Sequence, residues 1–150
     1  MLMGMKEGQA KMSKSDPNSA IFMEDSREDV IRKIKKAYCP EKIVLDNPIL
    51  DYVKYILFPA LGELTITRDA KNGGSVTFRI YQDLEVAFTN GDLHPNDLKP
   101  AVSSAINSLL QPVRDHFNND PYAKKLLDTI KVWQAEIEAK KAKAAVTETH

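Results

Sequence analysis

The spacing of apolar residues along this chain changes from helical to alternating once and then back again, and that excursion fixes the fold class. From Val30 to Leu57 the spacing is helical, first in Val30, Ile34, Ala37 and Tyr38 and then in Ile49, Val53, Ile56 and Leu57. Between Leu64 and Ile80 the period drops to two. Leu64 and Ile66 alternate with threonines, a polar stretch at 69–74 has turn chemistry, and Val76, Phe78 and Ile80 alternate again. Helical spacing returns at Leu84, Ala87 and Phe88. It continues through Val102, Ala105, Ile106, Leu109, Val113 and Phe117, then Ile130, Trp133 and Ile137. Alternation over so short a stretch supports one β-hairpin and no larger sheet. The predicted fold is mainly α, a small helical bundle bearing that hairpin.

Local signals set the boundaries. Ser26 with Asp29 three residues on is an acidic variant of a capping box and opens the first helix, which Cys39-Pro40 stops. Asn47-Pro48 starts a second helix, and Pro59 and Gly62 are expected to end it. His94-Pro95 starts a longer helix that Pro100 and Pro112 are expected to start, bend or divide. Asn119-Asp120-Pro121 caps a last helix in which Trp133 is expected in the core, with fraying over 140–145 and a tail at 146–150. Residues 1–25 contain Pro17 and too little apolar material to fold alone.

Composition excludes several classes. The 21 basic and 21 acidic residues balance, so any nucleic-acid contact must come from local clusters of cations. A single cysteine, Cys39, rules out an internal disulfide, suits a reducing compartment such as the cytoplasm, and leaves no zinc spacing; no metal site is expected. No apolar run reaches membrane-spanning length, and the first residues lack the blocks of a signal peptide.

The chemistry concentrates in Lys11-Met12-Ser13-Lys14-Ser15, which sets two ammonium groups three positions apart in a segment that is not regular structure. Nucleotidyl transfer onto a carboxylate builds charge on the α-phosphate and on the departing pyrophosphate. Compact lysine charges on a closing loop favour that state over bound ATP, and the hydroxyls of Ser13 and Ser15 can add hydrogen bonds. The run resembles the Lys-Met-Ser-Lys-Ser loop of class I aminoacyl-tRNA synthetases.

Which member of that class is indicated by residues 15–26 (Ser-Asp-Pro-Asn-Ser-Ala-Ile-Phe-Met-Glu-Asp-Ser), 33–40 (Lys-Ile-Lys-Lys-Ala-Tyr-Cys-Pro), Asn47-Pro48, Gly73-Gly74 and 93–99 (Leu-His-Pro-Asn-Asp-Leu-Lys). Together they resemble the tyrosyl-tRNA synthetases of the archaeal and eukaryotic cytosolic type, from the first residue to about Phe117. The tryptophanyl enzymes, the nearest relatives, share the segment after the lysine loop but match 37–40 and 93–99 less well. The resemblance implies an enzyme fragment: residues 1–25 end a Rossmann-type catalytic domain, and 26–145 form a helical anticodon-binding domain. The nucleotide-binding half would precede the lysine loop, so the chain alone is expected to be inactive. ATP with magnesium is then a substrate of the complete ligase, with no bound cofactor expected here. The implied partners are tRNA(Tyr) and the missing catalytic half, with a homodimer for the complete enzyme, a monomer for this stretch and no membrane. A tryptophanyl fragment, or a stand-alone tRNA-binding module without catalysis, is the alternative.

By the same resemblance, Lys11 and Lys14 contact ATP phosphates and Met12 packs beneath their loop. Cys39 lies at the corner that meets the middle of the anticodon, although a lone cysteine is more commonly a small buried hydrophobe. Asp97 reads the first anticodon base, where guanine offers two donors to a carboxylate, while His94 and Pro95 shape its slot. Asp97 could equally cap a helix starting at Pro95. Asn72 stands where related enzymes often carry an aromatic residue that stacks on that base, so weaker discrimination is expected. The cationic side of the first helix, Arg32, Lys33, Lys35 and Lys36, offers phosphate contacts, with Arg32 and Lys36 foremost; a solvated face explains the same charges. His116 reads as a surface or packing residue.

Overall fold

The computed structural model describes residues 2–147 and contains α1 (Arg27–Lys36), α2 (Pro48–Tyr52), a π-helical turn (Val53–Leu57), α3 (Phe58–Leu61), β1 (Leu64–Ile66), a 3-10 turn (Ala70–Asn72), β2 (Val76–Phe78), α4 (Tyr81–Asn90), α5 (Pro95–Asn119) and α6 (Pro121–Thr147). The two strands pair antiparallel with Leu64 opposite Phe78 and Ile66 opposite Val76, forming the one expected hairpin. Mainly α with a single hairpin is therefore the architecture of the described residues.

Contacts divide the chain into two compact units, 1–110 and 111–150. The first holds a continuous core in which Val30, Ile34, Ile49, Val53, Leu57, Ile66, Leu84, Phe88, Leu98 and Val102 are all fully buried. Truncating one of its large aliphatic residues to alanine costs about 2 to 5 kcal/mol. Segment 2–25 joins this core and not a separate one: Met5 is buried in it, its amide donates to Ser19 O at 3.0 Å, and its carbonyl accepts from Tyr38 N at 2.8 Å.

The helix starts follow their predicted chemistry. The capping box of α1 is complete, with Asp29 N–H donating to Ser26 Oγ at 3.1 Å and Ser26 N–H to Asp29 Oδ2 at 3.4 Å. Asn47 is fully buried at the start of α2, where its Oδ1 accepts from the amides of Ile49 and Leu50 and its Nδ2 donates to Ile43 O. Asp120 Oδ1 accepts from the amides of Tyr122 and Ala123, both at 2.9 Å, and so caps α6.

The prolines behave differently from expectation. Pro59 does not end its helix, which runs on to Leu61 and stops at Gly62 in the left-handed region. The π-helical turn immediately before it widens the backbone, with Phe58 N–H donating to Val53 O, and this eases the clash of a proline ring with the preceding turn. Pro100 and Pro112 lie inside α5, which runs as one helix of 25 residues from Pro95, so neither of them starts or divides it. A proline interior to a helix removes one bond of the ladder, and a long helix with Leu98, Val102 and Ile106 buried can sustain that loss.

In the second unit, α6 stays helical through 140–145 and beyond to Thr147, where fraying and a tail were expected; residues 148–150 of that tail lie outside the described residues. Alanines and lysines with good helix propensity carry it. Trp133 is 60% exposed and therefore not in the core, and Leu126, Ile130 and Ile137 are exposed as well. His116 is exposed and meets Phe117 edge to face, as a surface residue would.

Candidate phosphate loop and nucleic-acid interface

The lysine loop is anchored at one residue that its motif does not include. The hydroxyl of Ser19, which is fully buried, accepts from Ser13 N–H at 2.8 Å and donates to Ser13 O at 2.7 Å. Met12 packs against the core, and its sulfur accepts from Tyr52 Oη at 3.9 Å. Ser13 and Ser15 share a hydroxyl hydrogen bond at 2.7 Å. Asp16 is held by Lys6 at 2.5 Å, and this pair, with the amide of Asn18, lowers its carboxyl pKa. Lys11 and Lys14 remain exposed, so the loop presents two cations on a tethered backbone.

Beyond the loop, Lys33 corrects the reading of α1. It is only 4% exposed and turned inward, donating to Ala20 O at 3.0 Å and to Asp25 Oδ2 at 2.6 Å, with its ammonium 4.4 Å from the centre of the Phe22 ring. The residue lies next to the buried stripe, and its long stem reaches the 20–25 segment that folds over α1. Lys33 thus fastens the end of the loop segment to the helix and is unavailable to RNA. Arg32 donates to Asn18 Oδ1 at 3.0 Å and to Asp29 Oδ1 at 3.2 Å, which lowers the Asp29 pKa, while Lys36 is exposed.

The anticodon candidates fall on three segments that the first unit brings together. His94 Nδ1 accepts from Asn96 N–H at 3.1 Å, so the ring proton lies on Nε2 and is donated to Glu41 Oε1 at 2.5 Å. That bond ties the corner after α1, which contains Cys39, to the start of α5. Lys99 reinforces it by donating to Lys35 O at 3.1 Å and Ala37 O at 2.8 Å, the last carbonyls of α1. The hairpin tip is joined by Arg68, whose Nε donates to Gly74 O at 3.0 Å and whose guanidinium donates to Asp92 O at 2.8 Å. Asn72 is exposed on that tip.

Within this frame His94, not Asp97, caps α5 with its side chain. Asp97 keeps its carboxylate unpartnered among the described residues and lines a cavity of about 460 Å³ with Thr65, Thr67 and Pro100. Pro95 is buried beneath the corner. Cys39 is half-buried, its sulfur accepts from Asn47 Nδ2 at 3.5 Å, and burial raises its thiol pKa. Ser19, Glu41, Arg68 and Lys99 are the positioning residues that sequence reasoning missed. Glu41 lies directly after the Cys39-Pro40 corner, and Ser19 and Lys99 lie inside the runs 15–26 and 93–99 that carry the resemblance, but nothing local in the sequence marks their partners; Arg68 carries no signal.

No helix among the described residues is long and apolar enough to cross a membrane, and none of their His, Cys, Asp and Glu side chains cluster as metal ligands. The family model for class I tRNA synthetases (W and Y) matches residues 1–111. The chain is 55% identical over 131 residues to the cytoplasmic tyrosine–tRNA ligase 2 of Arabidopsis thaliana, an alignment covering 87% of this chain and 18% of that one. It superposes on the crystal structure of tyrosyl-tRNA synthetase complexed with L-tyrosine from Pyrococcus horikoshii with a TM-score of 0.78 at 39% identity, over 86% of this chain and 39% of that one. Against tryptophanyl-tRNA synthetase from Giardia lamblia the TM-score is 0.53 at 20% identity, over 74% of this chain and 25% of that one, a likeness of fold alone. The chain thus spans well under half the length of the relatives it matches. It belongs to the class I tRNA synthetases of the tryptophan and tyrosine family, on the tyrosyl branch.

Proposed function

We propose that this chain is the stretch of a tyrosine–tRNA ligase that clamps the phosphates of ATP and reads the anticodon of tRNA(Tyr). In this reading 1–25 complete a catalytic domain and 26–145 form the anticodon-binding domain of a cytoplasmic enzyme. The complete ligase would join tyrosine to tRNA through an adenylate, with magnesium ATP as substrate and a homodimeric assembly. Without its catalytic half this stretch would be inactive and monomeric. One observation carries the proposal: a tethered loop with two outward lysines shares a compact unit with a corner whose carboxylate, Asp97, has no partner among the described residues and lines a cavity.

The chemistry follows from charge. Lys11 and Lys14 would meet the growing negative charge on the phosphates, an interaction that strengthens toward the transition state. Asp97 would accept from the two donors on the Watson–Crick edge of an unpaired guanine. Replacing Lys14 with Met in the complete ligase tests the loop. Adenylate formation, followed by pyrophosphate exchange, is expected to fall at least a hundredfold while tyrosine binding changes little; unchanged exchange would refute the assignment.

A further inference from the structure

A second cavity, of about 520 Å³, lies between α1 and α5 and is lined by Arg27, Ile31, Lys35, Lys99 and Pro100 among others. It shares Pro100 and Ser104 with the Asp97 cavity, so the two hollows flank one ridge of α5. None of the three cations has a carboxylate partner among the described residues, and no carboxylate lines the cavity. Arg27, Ile31 and Lys35 are spaced four apart on one face of α1, which sets the two cations about 12 Å apart along the helix with an apolar residue between them. Ile31 is 47% exposed there, and Lys99 closes one end with its ammonium fixed by the two α1 carbonyls.

A cleft with cations at both ends and an apolar middle fits a nucleoside with a phosphate on either side. That is an internal nucleotide of a strand, since a free monophosphate would satisfy one end only. We propose that this cleft holds one nucleotide of single-stranded RNA, adjacent to the base read at Asp97, with its base on Ile31 and Pro100 and its flanking phosphates at Arg27 and Lys35. The inference rests on the reading of the first unit as a tRNA binder. It also shifts the phosphate contacts of α1 from Arg32, which is tied to Asn18 and Asp29, to the neighbouring exposed row of Arg27 and Lys35.

The test is a titration of the full chain with tRNA(Tyr) over a range of salt, for the unaltered chain, the double variant R27Q/K35Q and Ile31→Glu, with folding checked by thermal melting. Each lost phosphate contact lowers the slope of log affinity against log salt by about 0.7 to 0.9, so the double variant is expected to lose about 1.5. Ile31→Glu is expected to weaken binding at least fivefold while leaving the preference for guanine at the first anticodon position intact. An unchanged slope together with undiminished binding by Ile31→Glu overturns the inference, and a surviving guanine preference then leaves the anticodon reading standing. Binding of adenosine monophosphate that Ile31→Glu abolishes, with the tRNA slope unchanged, also overturns it in favour of a free nucleotide. Loss of the guanine preference in the unaltered chain would instead refute the underlying reading.

Discussion

His94 and Glu41 lie 53 positions apart, and a hydrogen bond of 2.5 Å from Nε2–H to the carboxylate joins them. Because His94 Nδ1 already accepts from Asn96 N–H, one imidazole both caps α5 and latches the corner after α1. Replacing His94 with Ala removes both bonds. A lost cap alone costs about 1 kcal/mol, so a lower urea midpoint with an unchanged m-value is expected. Glu41→Gln, which keeps the shape but not the charge, should destabilise less. Equal stability of the His94→Ala variant and the unaltered chain would mean the latch contributes nothing.

Lys33 and Asp25 form the most consequential ion pair of the first unit. Their side chains are 3% and 10% exposed, so removing Lys33 leaves the Asp25 carboxylate in the interior without its cation, although the Phe22 amide still donates to it at 2.9 Å. Lys33→Met is expected to destabilise by about 3 to 5 kcal/mol, and the double variant K33M/D25N to recover part of that loss. Denaturant unfolding of the two variants measures this. A Lys33→Met cost below about 1 kcal/mol would place the pair in the class of exposed ion pairs.

Ser19 holds both polar backbone groups of Ser13. Ser19→Ala leaves them without that partner, at a cost of about 1 to 3 kcal/mol where the groups stay buried. Hydrogen exchange should rise at the Ser13 and Asp16 amides while the α1 core stays protected. Exchange unaltered at Ser13 would show that the loop is held by Met12 and the Asp16–Lys6 pair alone.

Acid sensitivity should arise in part at Asp29, whose pKa lies below its usual 3.8 because Arg32, first, and then Ser26 hydrogen-bond its charged form. A depressed folded-state pKa contributes stability that is present above the unfolded value and lost as pH falls through the folded one. Stability measured from pH 5 downward should therefore decline from about 4, and Asp29→Asn should flatten that decline while lowering stability at neutral pH. Parallel profiles for the two proteins would remove Asp29 from the account.

Asn72 stands exposed at the end of the 3-10 turn of the hairpin, where the tip is fixed to Asp92 through Arg68. Asn72→Tyr would supply a stacking platform, and base stacking on an aromatic contributes about 1 to 3 kcal/mol. Affinity for tRNA(Tyr) should rise at least fivefold. No gain would place the tip away from the bound base.

Much of this architecture was legible in the sequence because local rules and burial agree. The switch of period located the hairpin, and Ser26, Asn47 and Asp120 each supplied the oxygen that their helix start requires. Propensity misled where tertiary or backbone compensation intervenes: the π-helical turn before Pro59, the continuous α5 through Pro100 and Pro112, and Lys33 drawn inward by Asp25. The candidate site was legible residue by residue only through the family resemblance. Its assembly was not, because Glu41–His94, Lys99–Ala37 and Arg68–Asp92 join positions 24 to 62 residues apart, and a spacing rule sees only neighbours.

The most direct test of the account is the affinity of this chain for tRNA(Tyr) set against the same tRNA with cytosine in place of guanine at the first anticodon position, measured with and without Asp97→Ala. The expected result is a preference for guanine that Asp97→Ala erases, since the unpartnered carboxylate is the group that accepts from guanine's donors. Equal binding of both tRNAs by the unaltered chain, or a preference that survives Asp97→Ala, would contradict the account.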